Sequence, residues 1–302
     1  MDENLSGVIN IYKEKNYSSH DVVNIVRRAF NRIKTGHTGT LDPQAEGVLP
    51  VCIGKATKLC DNIAADIKEY RAQMTLGVTT DTEDHTGEVL EQKEVVCTQE
   101  EIEAVLNSFV GEYEQIPPMY SAVKHEGRKL YDLARSGVEV ERKPRLITIF
   151  GISDVDFSLI DENKVSFTVC CSKGTYIRTL CKDIGEKLGC GAHMSALVRT
   201  RSGQFYAKDA VTVDKFREYA ESGELEKLII PVEKVLGDDI KSSKVAPKAN
   251  KYLYNGNKIN IGFLFNKNLT DKDKVLLYDK EGKLVGLYRV SDGFAYPDIM
   301  LS

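Results

Sequence analysis

The chain has 302 residues, 42% of them hydrophobic and 28% charged, with seven cysteines, no tryptophan and a formal net charge of −4. This balance is ordinary for a globular protein with room for two domains, and no apolar run is long enough to span a bilayer. The N-terminus "MDENLSG" lacks the basic and apolar segments of a signal peptide, so a cytoplasmic location is expected, and cysteines without a C-x-x-C pair read as reduced, partly buried thiols.

In chain order, "SGVINIYK" predicts a strand, and "SSHDVVNIVRRAFNRI" sets Val22, Val23, Val26, Phe30 and Ile33 at helical spacing behind a Ser or Asp cap. The next stretch, "GHTGTLDP", is followed by Gly47, Pro50 and Gly54, and so many interruptions require an irregular backbone of defined shape. "KATKLCDNIAADIKEY" places Ala56, Leu59, Ile63 and Ile67 on one helix face. "YRAQMTLGV" alternates as a half-buried strand and turns Tyr70 inward with Ala72, Met74 and Leu76. "TTDTEDHTGEVL" reads as a polar turn in which Asp81, Glu83 and Asp84 cap backbone; it lacks the glycine and distal glutamate of a calcium loop, so no metal is expected. A strand, "VLEQKEVV", comes next, and then a helix with Thr98 as cap, Glu101 three residues on and Gly111 as its stop.

Residues 112–150 contain the irregular "IPPMYSA", a short helix around Leu130 to Arg135 and a basic strand. "KVSFTVCCSKGTYIRTLCKDIGEKLG" gives a strand on Val165, Phe167 and Val169. A turn leads from it to a helix striped by Ile177, Leu180, Ile184 and Leu188 and ended by Gly189. A second amphipathic segment starts at Val213, "DDIKSSKVAPKAN" reads as a linker, and "KVLLYDKEGKLVGLYRV" opens a small β module. Helices and strands mix irregularly, so the expected class is α+β. Basic and acidic blocks alternate along the chain, which permits one positive face, and with it a polyanion partner, despite the acidic total.

Two readings of Asp42 are open from local sequence. It is an N-cap with Pro43 at the first helical position, or a carboxylate presented by a rigid loop as nucleophile or base. His37 alone reads as a hydrogen-bonded loop residue, and Tyr70 as a core aromatic. Arg178 falls in the first turn of its helix, where the dipole disfavours a cation, so it calls for an anionic partner; Asp42 would serve. No P-loop, dinucleotide fingerprint, H-E-x-x-H or nucleophile elbow is present, and no cofactor is signalled.

Four stretches, "GHTGTLDPQAEGVLPVCIGKATK", "KEYRAQMTLGVTTDTEDHTGEV", "IPPMYSAVKHEGRKLYDLARSG" and "SKGTYIRTLCKDIGEKLGCGAHMSALVRTRSG", resemble in order those of the bacterial tRNA pseudouridine synthase B family. The resemblance runs from about Gly7 to Leu236, with weaker support beyond in "YNGNKI" and "GLYRV". It implies a mixed, mainly antiparallel central sheet flanked by helices over residues 1–236. Residues 112–150 would be a tRNA-binding insertion within it, and 237–302 a β-rich PUA-like RNA-binding domain. It also implies a monomer that isomerises uridine 55 in the T-arm of tRNA without cofactor or metal, on a flipped-out base.

Residue by residue, Asp42 matches the family's catalytic aspartate, acting as nucleophile or as base in a glycal route. Tyr70 matches the tyrosine beside the target base, and Arg178 the arginine that pairs with the aspartate. His37 matches the histidine that fills the space left by the flipped nucleotide. Lys13 matches a lysine of an N-terminal Lys-Pro-x-Gly motif, which here reads Lys13-Glu14-Lys15-Asn16. Two rival functions are an RNA-binding module without catalysis and a carboxylate glycosidase; the latter needs a second carboxylate, for which Asp81, Glu83 and Asp84 are the candidates.

Overall fold

The computed structural model describes residues 5–302 apart from 65, 122, 126, 139, 238 and 239. In chain order the elements are β1 (Gly7–Lys13), α1 (Ser19–Ala29), β2 (Thr35–His37), β3 (Glu46–Ile53), β4 (Ile67–Leu76), β5 (Val78–Thr80), β6 (Val89–Gln92), α2 (Gln99–Asn107), β7 (Gly111–Gln115), α3 (Leu130–Arg135), β8 (Arg145–Asp156), β9 (Lys164–Ser172), α4 (Ile177–Leu188), β10 (Ala192–Ser202) and β11 (Val211–Thr212). Among the described residues the main sheet has ten strands, and its path runs β11-β1-β3-β10-β4-β9-β8-β7, with β2 beside β3 and the two-residue strand Phe205–Tyr206 beside β10. Pairing is antiparallel except for β1 with β11 and β3 with β10, so the mixed, mainly antiparallel sheet expected from the resemblance is what forms.

The centre of this sheet is built from strands whose side chains alternate. On β4, Tyr70, Ala72, Met74 and Leu76 are buried, and they meet Val165, Phe167 and Val169 of β9 and the stripe of Ile177, Leu180 and Ile184 on α4. Each such fully buried side chain contributes about 1.5–3 kcal/mol of burial energy, and this fixes α4 against the sheet. Helix α4 ends at Gly189 in the left-handed conformation, φ +80°, as a glycine stop should. Helix α1 starts with a capping box between Ser18 and Asp21, and α2 with one between Thr98 and Glu101.

Several expectations need correction. Ile67 opens strand β4 and is exposed; the helical stretch before it is a short 3-10 helix, Gly54–Leu59, and the four residues Cys60–Ile63. Helix α2 stops at Ser108, and Gly111 instead begins β7 at φ +117°. The segment from Val213 breaks into a helix, Val213–Glu221, a 3-10 turn, Leu225–Leu228, and a short helix, Val232–Leu236. Ile230 between them bonds Val8 in both directions, so the core edge, not helical period, decides that stretch.

The segment read as a linker is ordered structure from Lys241. Lys241–Lys244 is β12, parallel to β14 (Lys274–Tyr278), in a second sheet completed by β13 (Ile259–Asn260), β15 (Leu284–Ser291) and β16 (Phe294–Met300). Asp238 and Asp239 lie outside the described residues. Leu276, Leu287 and Leu301 of this module share one apolar cluster with Val8, Val48, Cys52 and Leu59, and Lys58 Nζ donates to the Met300 carbonyl at 2.6 Å.

Candidate active site

No helix begins at Pro43. Residues 42–45 form a turn, with the Ala45 amide donating to the Asp42 carbonyl at 3.1 Å, so the N-cap reading of Asp42 is overturned and the rigid-loop reading stands. The turn is pinned from three sides. Ser19 Oγ, buried at the start of α1, accepts from the Leu41 amide at 2.8 Å and donates to its carbonyl at 2.9 Å. Arg199, fully buried on β10, donates to the carbonyls of Val48, Thr40 and Gly39 at 2.7, 3.2 and 3.1 Å. Lys13, also fully buried, donates from Nζ to the carbonyls of Glu14, Tyr17 and Pro43 at 3.0, 2.8 and 3.2 Å.

A loop of glycines leaves carbonyls unpaired, and two buried cations supply the donors they require. Gly47 makes this possible: at φ +109° any Cβ would stand 2.2 Å from the Arg199 carbonyl oxygen.

Asp42 sits at the exposed tip of this loop, its side chain 41% accessible, and its Oδ2 lies 3.0 Å from Nε of Arg178, which is 7% accessible. The pair expected from the helix-dipole argument is therefore formed. The guanidinium is the hub of more than that pair. Nη1 lies 3.6 Å from Asp84 Oδ2 and donates to the Thr82 carbonyl at 3.2 Å, and Nη2 donates to the Tyr120 carbonyl at 2.9 Å. Asp84 in turn accepts from the hydroxyls of Thr82 and Thr86 and from the Thr86 amide, so the acidic turn is a capping turn that also faces the arginine. Glu83, at φ +63°, accepts from Thr179 Oγ1 at 2.6 Å in the first turn of α4.

Tyr70 is buried at 7% exposure, with Arg199 and Asp42 within electrostatic reach of its hydroxyl. Burial raises its pKa, so it is a neutral phenol at physiological pH. His37 closes β2 beside the loop, and its Nδ1 accepts from the Gly39 amide at 3.2 Å, which leaves the ring proton on Nε2. Burial, and then Arg199, lower the His37 pKa, so the ring is neutral. Burial also lowers the pKa of Lys13, to about 8, against the opposing pull of Asp42. Asp42, Arg178, Tyr70 and His37 thus converge on one loop, while Lys13 lies beneath it as a support.

Two family models match the chain in succession: the TruB family pseudouridylate synthase N-terminal domain over residues 27–177 and the tRNA pseudouridylate synthase B C-terminal domain over 178–237. A tRNA pseudouridine synthase B of Alkaliphilus oremlandii is 48% identical over 86% of this chain and 85% of its own length. One of Clostridium perfringens is 44% identical over 98% and 99%, and one of Bacillus subtilis 42% identical over 94% and 93%. The chain belongs to the TruB family of pseudouridylate synthases.

It is therefore an isomerase of that class. Among solved structures, the TruB-type fold superposes on a Cbf5-Nop10-Gar1 complex at TM-score 0.69 with 28% identity over 98% of this chain and 85% of that one. An H/ACA RNP bound to a substrate RNA containing 2'-deoxyuridine gives 0.68 with 26% identity over 98% and 85%. The C-terminal sheet is included in that coverage, in keeping with the PUA-like module expected there.

Sequence reasoning missed Arg199 and Gln115 in this TruB-type site, and read Asp84 as a capping carboxylate without its arginine partner. Arg199 shares the alternating face of Leu197 on β10, and an arginine on such a face was the available signal. Gln115, buried at the end of β7, brackets the start of α4 by accepting from the Tyr176 amide at 2.7 Å and donating to its carbonyl at 3.0 Å. Only the register between β7 and α4 makes that contact visible.

Proposed function

We propose that this chain converts uridine 55 in the T-loop of tRNA to pseudouridine, with Asp42 as the catalytic carboxylate. The observation that carries the reading is the half-exposed Asp42 carboxylate held at 3.0 Å by a buried arginine on a loop with no freedom of its own. The N-glycosidic bond breaks, the uracil turns, C5 joins the sugar, the C5 proton leaves to solvent and N1 takes up a proton, with no redox change. Arg178 orients Asp42, Tyr70 stacks on the uracil, and neutral His37 occupies the gap left by the everted base. Lys13 supports the loop from below through the Pro43 carbonyl.

Residues 112–150 and the module 237–302 act as RNA-contacting parts of a monomeric, cytoplasmic enzyme that recognises the T-arm by shape and phosphates. A hydrolytic route needs a second free carboxylate, and Asp84 and Glu83 are both engaged.

The test is tritium release from a tRNA transcript labelled at C5 of uracil, with the product mapped. Release by wild type but not by Asp42→Asn, confined to the T-loop, is expected. Full release by Asp42→Asn, or a product at another position, overturns the reading.

A further inference from the structure

Lys68 lies on β4 two residues before Tyr70 and on the same face of the sheet, opposite Cys171 of β9 and Ser202 of β10. Its ammonium overhangs the catalytic loop: a Cβ on Gly39 would stand 3.0 Å from Lys68 Nζ and 3.7 Å from Arg199 Nη1. The groups that act on it most strongly are cationic or neutral, Lys173 being itself paired with Asp66 at 2.7 Å. Arg199 comes from β10, Lys173 follows β9, the Cys171 thiol comes from β9, and His37 comes from β2. Among the described residues no carboxylate pairs with it, and Glu69 beside it points to the other face, where it accepts from Thr200 Oγ1.

This is an unusual arrangement. A half-buried ammonium beside a buried guanidinium raises the energy of the loop region without any return from within the chain. Its cationic neighbour Arg199 is committed to three loop carbonyls, whereas the three donors of Lys68 have no acceptor among the described residues. Burial, with Arg199 adding to it, brings its pKa down to about 8, so the charge is present at neutral pH but held there at a cost. An anion that enters with the substrate removes that cost. Two residues along a strand span about 7 Å, so an RNA whose base stacks at Tyr70 carries its backbone past this amine.

We propose that Lys68 binds a phosphate of the RNA backbone next to the everted uridine, and so helps to hold the flipped nucleotide. This rests on the reading that RNA enters at Asp42. The positive charge beside Gly39 is complementary to phosphate and not to uracil, which offers no net charge.

The experiment measures binding of a T-arm stem-loop RNA in the Asp42→Asn background, as a function of salt, for Lys68, Lys68→Met and Lys68→Arg. Removing one contact to a single-stranded phosphate is expected to reduce the log–log salt slope by roughly 0.7, with the slope restored by Lys68→Arg. Binding by the Lys68 protein should also weaken as pH rises through 8, and that loss should vanish in Lys68→Arg, a readout independent of how well Lys68→Met folds. An unchanged slope in folded Lys68→Met, or the same pH response in Lys68→Arg, overturns the assignment. Tritium release by the otherwise wild-type enzyme on the same RNA separates the two readings. Normal turnover with an unchanged slope removes only the Lys68 contact, and no turnover removes both.

Discussion

Replacing Arg178 by methionine should separate the structural from the catalytic share of the Asp42 pair. The guanidinium faces Asp42 at 3.0 Å and Asp84 at 3.6 Å and donates to the carbonyls of Thr82 and Tyr120. Asp84 is 11% accessible and Asp42 41% accessible, so the two limbs are not equivalent. Loss of a buried partner leaves an uncompensated charge at Asp84 and costs about 3–5 kcal/mol. Relief of a cation at the helix N-terminus returns about 0.3–1 kcal/mol, so a net loss of about 2–5 kcal/mol is expected.

Asp42→Asn removes only the solvent-screened limb and should cost less than about 1 kcal/mol. Both variants should lose turnover. Denaturant titration of each, beside Arg178→Met/Asp84→Asn, reads the difference, and the double variant should recover about 1 kcal/mol or more of coupling energy. If Arg178→Met is within about 1 kcal/mol of Asp42→Asn, the arginine is not the hub described here, and the argument from Asp84 fails.

Tyr70→Phe should keep the fold and the affinity for RNA while slowing turnover, because the hydroxyl lies within electrostatic reach of Arg199 and Asp42; wild-type single-turnover kinetics would remove it from the chemistry. Lys13→Met should lower both stability and turnover by freeing the Pro43 carbonyl beneath Asp42, and a stable variant of full activity would show that the loop holds itself. Gly47→Ala should fail to fold at wild-type yield, since its Cβ would meet the Arg199 carbonyl at 2.2 Å; soluble expression and melting report it. For His37 burial holds the folded pKa below the ordinary histidine value of 6.5, so the unfolded chain binds more protons as pH falls through that value. Stability is then lost on the acid side. Wild type should lose stability relative to His37→Asn as pH falls through 6.5, and parallel pH profiles would refute this.

Strand alternation and helix stripes were legible because the burial that enforces them is local. β4, β9 and α4 each show the period of their element, and Gly189 ends α4 with the backbone only glycine favours. Ile67 and the segment after Val213 misled because apolar spacing is silent about where neighbouring elements cut a helix short. The site divides in the same way. Asp42 and Arg178 carry local oddities, a glycine-framed carboxylate and a cation in a first turn, whereas Tyr70 and His37 read as ordinary residues and were singled out by the family resemblance. Arg199, Gln115 and Lys68 look ordinary in sequence and gain meaning only from register.

Arg199 makes the point most sharply. Its place on β10, beside β3 and β4, lets one side chain reach Gly39, Thr40 and Val48 on one side and Tyr70 on another. A lysine there would have a single point of donation for contacts that need a planar fork. The loop motif can present Asp42 only because a residue about 160 positions away in sequence supplies donors its own backbone lacks. The loop that presents Asp42 is thus a property of the sheet, and substitutions at Arg199 should act on turnover through the position of Asp42 rather than through contact with RNA.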